Sequence, residues 1–298
     1  FAKQYIQKIE KIKPTIRLEN GQPIRDTQFA SNKYDYTGYG AAFSYAIKPA
    51  VVLLASAERA IRLPVEGEIF GEVGDNIVEN NGLTPEISNN VNFGFKIGPY
   101  KVKQHKFSVG ANGFFRDTKD KIVRRSNTRL NDAEETAPFE NLSKTLSKGF
   151  DLEFNYSFKK DLHVLLNMSK FNTVFNSKYT ADGRENTRYN QQLPNEPFFT
   201  INANVQYGLN DLIQKDSRLN MFYNFSSVDS FYTNWLEVDY YSTPKQFIHD
   251  LGLSYIYPKK KVVLSFDAKN IFNAEAYDNF ALQKPGRAFY VKLNYILN

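Results

Sequence analysis

The chain has 298 residues, 42% hydrophobic and 23% charged, with 25 Phe, 19 Tyr, one Trp, no Cys and a formal net charge of +6. No Cys excludes a disulfide scaffold or zinc ribbon, and so many rings exclude a disordered chain. A helical membrane bundle is excluded too, because the longest apolar stretch, around residues 50–57, is interrupted by Ser56 and falls far short of the ~20 residues a spanning helix needs.

Residues 1–12 are Lys-rich and amphipathic, with no apolar h-region and no small-residue cleavage site, so they do not read as a targeting segment and the sequence reads as a fragment. Strands are expected over 36–46, 50–60, 88–97 and 105–125. The clearest alternation follows, with Phe150, Leu152, Phe154, Tyr156 and Phe158 set against Asp151, Glu153, Asn155 and Ser157. Leu162, Val164, Leu166 and Met168 come only three residues later and complete a long hairpin. The same period returns over 199–207, 219–225 and 262–268. It ends with Phe289, Val291, Leu293, Tyr295 and Leu297 alternating with Tyr290, Lys292 and Asn294. About a dozen strands result, with no sustained amphipathic helix; residues 209–214 are expected to make one turn.

Connections alternate in length. Short turns are expected at 48–49, 98–101, 159–161, 210–216 and 258–260, and long polar loops at 62–87, 126–139, 180–195, 233–245 and 273–285. Tight turns at one end and long loops at the other are the plan of an outer-membrane β-barrel. A soluble sandwich also alternates, so the second face decides. Asp151, Glu153, Asn155, Asn202, Asn204, Gln206, Lys292 and Asn294 would line a dry interior at ~1 to 3 kcal/mol for each unpaired group, whereas a wet or plugged lumen accepts them. Aromatic residues gather near strand ends, at Tyr156 and Phe158, at Tyr255 and Tyr257, and at Phe171, Phe175 and Tyr179. Rings there suit the headgroup level, although ordinary β-propensity also enriches them. The fold class is therefore all-β, an antiparallel transmembrane barrel wall of 11–12 strands.

Two stretches carry a resemblance. The first runs Ala57-Glu58-Arg59-Ala60-Ile61-Arg62-Leu63-Pro64, then Glu68-Ile69-Phe70, then Asn81-Gly82-Leu83-Thr84-Pro85-Glu86. The second is Asp267-Ala268-Lys269-Asn270-Ile271-Phe272-Asn273, then Tyr277, then Pro285-Gly286-Arg287-Ala288-Phe289. Together they resemble the mid-barrel and C-terminal signatures of TonB-dependent outer-membrane receptors, with Ser147 to Glu153 similar to a weaker strand-opening pattern of that family. Departures are Asn81, where the family has Pro, and an ending on Asn298 where an aromatic is usual. The resemblance implies that residues 1–298 form the C-terminal half of a barrel of ~22 strands. Plug, TonB box and signal peptide are then expected upstream of Phe1.

Candidates for bond chemistry are missing from the sequence. His105, His163 and His249 lie far apart without ligand spacing, Gly38-Tyr39-Gly40 lacks the rest of a phosphate loop, no Gly-x-Ser-x-Gly elbow occurs, and Glu134-Glu135 read as solvated loop acids. No enzyme, metal or cofactor is expected. What remains is ligand capture by long loops. Phe231, Tyr232, Trp235, Tyr240 and Tyr241 crowd one of them and would stack on a catecholate, a sugar or a corrin, unless they belong to the interfacial aromatic belt. Arg124, Arg125 and Arg129 would meet an anionic chelate or lipopolysaccharide phosphates, or form a solvated basic rim.

The resemblance implies TonB-driven import of a scarce nutrient, first of all a ferric siderophore, across a Gram-negative outer membrane. Cobalamin, an oligosaccharide or a peptide are alternative cargoes. Expected partners are outer-membrane lipid, the nutrient ligand, periplasmic TonB acting through the plug and, since Tyr- and Asn-rich strands suit a Bacteroidetes-type receptor, a surface lipoprotein. Nucleic acid is not expected, as Lys and Arg are scattered. A passive porin or adhesin, a barrel-embedded hydrolase and a soluble sandwich are the rival readings.

Overall fold

The computed structural model describes residues 1–19, 22–71, 79–124, 139–180, 182–258, 262–279 and 281–295. Twelve strands hydrogen-bond in one antiparallel sheet: β1 (Ala2–Glu19), β2 (Gln22–Lys48), β3 (Val51–Arg62), β4 (Glu86–Val102), β5 (His105–Arg124), β6 (Phe139–Phe158), β7 (Leu162–Phe175), β8 (Phe199–Asn210), β9 (Arg218–Val228), β12 (Gln246–Ile256), β13 (Val262–Lys269) and β14 (Ala288–Tyr295). Each pairs with its neighbour in chain order, because β10 (Phe231–Tyr232) and β11 (Ser242–Thr243) form a separate two-stranded ribbon within the loop after β9. One short helix, α1 (Glu66–Phe70), sits in the loop after β3. No second layer of sheet packs on the wall among the described residues.

Register decides the faces. Phe93 lies opposite Ala55 and Gly113, Phe115 opposite Lys148, and Phe150 opposite Lys170, so these side chains share one surface. Large apolar groups stand open there, with Phe43 64%, Phe93 61% and Val291 73% exposed. Soluble monomers rarely present so continuous an oily surface to water. A lipid solvent reverses the sign of that cost. On β6 the outward positions from Phe158 to Phe150 are all apolar and the next, Lys148, is the first charge. Ten residues at ~40° tilt rise about 25 Å, the height of the apolar band of an outer-membrane barrel. β7 repeats this, apolar outward from Leu162 to Met168 and then Lys170. At the short-turn end aromatic rings form a girdle: the His105 ring nitrogen and the Tyr156 hydroxyl lie 2.8 Å apart, and Tyr255 and Tyr257 meet edge-on at 4.7 Å.

Two expectations change. Residues 98–101 are not a turn: β4 continues to Val102, the register slips between Ile97 and Tyr100, and the chain reverses at 103–104 with Lys103 at φ 54°. Pro99 has no N–H for the ladder, and a slip accommodates it. The Lys-rich start is strand β1, and β2 begins at Gln22, well before residue 36. Above Tyr39 this hairpin has passed beyond the apolar band; its outward side carries Gln4, Thr37 and Asp35 hydrogen-bonded together and Lys8 paired with Glu10. Alternation of oily residues is not needed there.

Candidate functional site

The inner surface is mainly polar from β3 to β13. Its rows are tied across strands: Asn90 Nδ2 donates to Glu58 Oε1 at 3.0 Å, Asn92 Nδ2 to Ser56 Oγ at 3.1 Å, Ser169 Oγ to Asp151 Oδ1 at 2.7 Å and Thr173 Oγ1 to Ser147 Oγ at 3.0 Å. The predicted lumen residues Asp151, Glu153 and Asn202 line a recess of ≈ 600 Å³ together with Lys96, Asn112 and Asn167. Nearer the loop end a second recess of ≈ 670 Å³ is bordered by Glu58, Arg116, Thr118, Thr145 and Ser147. Both signs of charge occur side by side, so the surface favours water or a polar body over any one ion. Apolar residues also occur on this face: by register Leu165 lies beside Asn155 and Asn204 and Phe222 beside Gln206, and Phe114 and Phe171 lie 6.4 Å apart across Gly149, with the Arg116 guanidinium 4.6 Å above Phe114.

Both signature stretches lie at the loop end and work as staples. Arg62 Nη1 donates to Glu86 Oε1 at 3.0 Å and its other nitrogen pairs with Glu68. Glu68 also accepts from Val65 N at 2.9 Å and Glu86 from Ile122 N at 2.9 Å. Each carboxylate thus satisfies one backbone donor and one cation, which closes the loop over the buried Ile69, Leu83 and Ile122. Tyr34 locks the β1–β2 hairpin to the same knot by donating to Leu83 O at 2.7 Å. In the second stretch Asn270, at φ 47°, exchanges two bonds with Ala274 through its amide, and its own N–H donates to Asp250 Oδ1 at 2.8 Å. Arg287 N then donates to Asn273 Oδ1 at 2.9 Å as β14 starts.

The long loops after β7 and β9 dock on each other. Trp235 is buried with Leu142, Phe175 and Leu193, meets Phe175 edge-on at 6.0 Å, and carries the Arg188 guanidinium 4.9 Å above its ring. Gln191 Nε2 donates to Trp235 O at 2.6 Å, and Asn195 N to Tyr232 O at 2.8 Å. Lys121 and Glu196 close the lower edge at 2.6 Å.

Against this frame the predicted loop residues separate. Trp235 and Phe231 do not face solvent; at 7% and 5% exposed they form the packing of the loop itself. Tyr232 projects from β10, and Tyr240 is 80% exposed, edge-on to Tyr241 at 5.0 Å. Arg124 ends β5 and borders a recess of ≈ 200 Å³ together with Leu193, Glu196 and Trp235. Arg125 and Arg129 lie outside the described residues. Arg188 and Gln191 escaped sequence reasoning because nothing in a polar loop marks which side chain will cover a Trp.

The histidines are held in pairs with hydroxyls. His249 Nδ1 and Tyr223 OH are 2.7 Å apart, and His163 Nδ1 and Ser157 Oγ 3.0 Å. Among the described residues no cluster of three His, Asp or Glu is arranged for a metal. Two loop groups titrate away from their ordinary range. The Thr180 hydroxyl donates to Asp182 and lowers its pKa, assisted by Arg184; Tyr277, which donates to Glu275 at 2.9 Å, is raised.

The sequence matches the family model for the TonB dependent receptor-like β-barrel over residues 15–271. The chain belongs to that family. TonB-dependent receptor barrels reside in the outer membrane of Gram-negative bacteria, which places the exposed Phe and Val surface against lipid. Solved structures share the fold. The siderophore receptor PiuA from Acinetobacter baumannii superposes with TM-score 0.66 at 16% identity, covering 99% of this chain and 40% of PiuA. The copper transporter OprC gives 0.63 at 15%, covering 89% and 40%, and the ferric-catecholate import receptor Fiu from K12 E. coli 0.62 at 12%, covering 99% and 41%. The chain therefore spans about 40% of the length of these receptors. No curated protein matches the sequence.

Proposed function

We propose that this chain is the C-terminal half of the barrel wall of a TonB-dependent importer of a scarce solute, with a ferric siderophore as the first cargo to test. The observation that carries the reading is a membrane wall whose inner surface carries rows of hydrogen-bonded polar side chains, topped by docked loops with exposed Tyr rings. Open sheet edges are not tolerated in lipid, which supports closure of β1 and β14 through further strands of the same receptor. A plug within that barrel would slide against Glu58, Asp151 and Asn202, and TonB would pull on the plug from the periplasm. The wall does no bond chemistry.

Tyr232, Tyr240 and Tyr241 contact the ligand in this proposal, while Arg124 and Arg125 supply positive charge toward an anionic chelate. Phe231 and Trp235 serve as the scaffold that holds those Tyr residues in place. The names of the structural neighbours, two siderophore or catecholate receptors and a copper transporter, set the order of cargoes to try. A surface lipoprotein covering the loop after β9 is a further partner, testable by co-purification.

The experiment is growth and radiolabelled uptake in a strain lacking the gene. Loss of uptake of one ferric chelate, restored by the wild-type gene and abolished by collapse of the proton gradient, is the expected result. Uptake indifferent to the gradient would replace the importer with a passive porin. Growth on every iron chelate unchanged by the deletion would reject the siderophore cargo.

A further inference from the structure

A recess of ≈ 1110 Å³ borders the sheet between β4 and β7, with Phe114 and Phe171 of the inner surface and Gln192 and Phe198 of the loop after β7 among its lining. It lies mainly on the lipid face, lined there by Val91, Phe93, Gly113, Phe115 and Phe150, with Lys148 and Lys170 at its border. Sequence creates it by a size mismatch. Gly113 sits between the outward rings of Phe93 on β4 and Phe150 on β6, so the wall is hollow where its neighbours carry large side chains. A Cβ added to Gly113 would come no nearer than 3.8 Å to any atom, so the strand geometry does not require glycine there.

The two lysines stand at one edge of this hollow. Lys148 faces Phe115 and Asn172, Lys170 faces Phe150 and Phe199, and the two are diagonal neighbours across β6 and β7. Such diagonal positions lie roughly 7 to 8 Å apart. Neither ammonium group has an ion pair among the described residues, whereas Lys144 on the same face is paired with Asp117 at 3.1 Å. Each is the first charge above an apolar column, about 25 Å from the opposite girdle for Lys148, which puts both at headgroup level on the loop side of the membrane. Two unpaired cations above an aromatic hollow complement a molecule with phosphate at one end and hydrocarbon at the other.

We propose that this hollow is a binding site for one phosphorylated lipid of the outer leaflet, its phosphate between Lys148 and Lys170 and an acyl chain along Phe93, Gly113 and Phe150. The proposal rests on the lipid-facing orientation of the wall and is independent of the cargo imported.

The test uses the full-length receptor in phosphatidylcholine nanodiscs, with retained lipid counted by native mass spectrometry after addition of diphosphoryl lipid A or its dephosphorylated form. Wild type is expected to retain the diphosphoryl form selectively. K148Q/K170Q is expected to weaken that retention roughly 30-fold, from about 1 kcal/mol per lysine at an anionic surface, while K159Q/K160Q at the opposite end of the wall leaves it unchanged. Gly113→Leu fills the hollow without a backbone clash and is expected to weaken retention with both lysines intact. Heat-modifiable migration on gels checks that each variant is folded. Equal retention of the two lipid A forms, or of diphosphoryl lipid A by K148Q/K170Q and wild type, would overturn the proposal. Displacement by inorganic phosphate without any effect of Gly113→Leu would overturn the lipid and leave a free-phosphate site.

Discussion

Replacing Trp235 by Ala separates the scaffold of the outer loops from the barrel that carries them. The indole is 7% exposed, packs on Leu142, Phe175 and Leu193, and lies beneath Arg188. Truncating a buried Trp costs about 3 to 5 kcal/mol, the cavity included, and the edge-on Phe175 contact lies within that figure. The cost falls on a local unit. The loops after β7 and β9 are joined by Trp235, by Gln191 and by the Asn195 to Tyr232 bond, whereas the sheet beneath is held by continuous ladders. Such units open independently of the global transition. With about 3 kcal/mol removed, the open fraction of the two loops rises on the order of a hundredfold. Hydrogen exchange by mass spectrometry, resolved over residues 186–198 and 229–245, should show this acceleration while β6 to β9 keep wild-type protection. Tyr240→Ala, at an exposed ring, should change exchange hardly at all, within about 0.5 kcal/mol. Unchanged exchange in W235A, or equal acceleration in Y240A, would refute the assignment of Trp235 as the keystone.

Other outcomes follow from the same geometry. Gly149→Ala should lower the thermal transition by the equivalent of about 1 to 3 kcal/mol or more, because its Cβ would lie 2.4 Å from both Lys170 O and Phe171 Cβ, while Gly113→Ala should be near neutral; equal melting of the two variants on heated gels would contradict the face assignment. Arg62→Met leaves Glu68, 8% exposed, and Glu86, 15% exposed, without their cation. Arg62 is half-exposed, so about 2 kcal/mol is expected rather than the full cost of a buried pair. Faster proteolysis near residues 63–71 would report it, and an unchanged digest would count against the staple. Asp182 is held below its ordinary range chiefly by the Thr180 hydroxyl, with a contribution from Arg184. The linked stabilisation of that turn is present above the unfolded carboxyl value and lost as pH falls through the lowered one. Thr180→Val should therefore move the Asp182 titration upward in a carbon-detected NMR experiment, and a titration that stays in place would assign the shift elsewhere.

Much of the wall was legible because lipid and lumen impose opposite chemistries on successive residues. Phe150 to Phe158 announces its strand and its faces with no tertiary information. The hairpin of β1 and β2 did not announce itself, since above the apolar band its outward side carries Gln4, Thr37, Asp35 and Lys8 with Ile6 among them, and its inward Tyr34 and Ile9 are anchored on residues of a distant loop. The turn expected at 98–101 failed for a related reason: Gly98 and Pro99 signal a break in the ladder, and a slipped register is a break as much as a reversal is. In the loop after β9 the aromatic residues were visible, but not which of them would be spent on packing.

Taken alone, then, the amino-acid order determined the period, the two chemically opposite faces and the family, because these depend on neighbours two residues apart or on contiguous signatures. Only the tertiary structure decided that Arg62, Glu68 and Glu86 close one knot, that Trp235 is buried while Tyr240 is open, and that Gly113 lies beside Lys148 and Lys170. Those pairings join residues far apart in the chain, and strand register sets them. Register is a property of the whole sheet that no local stretch of sequence contains.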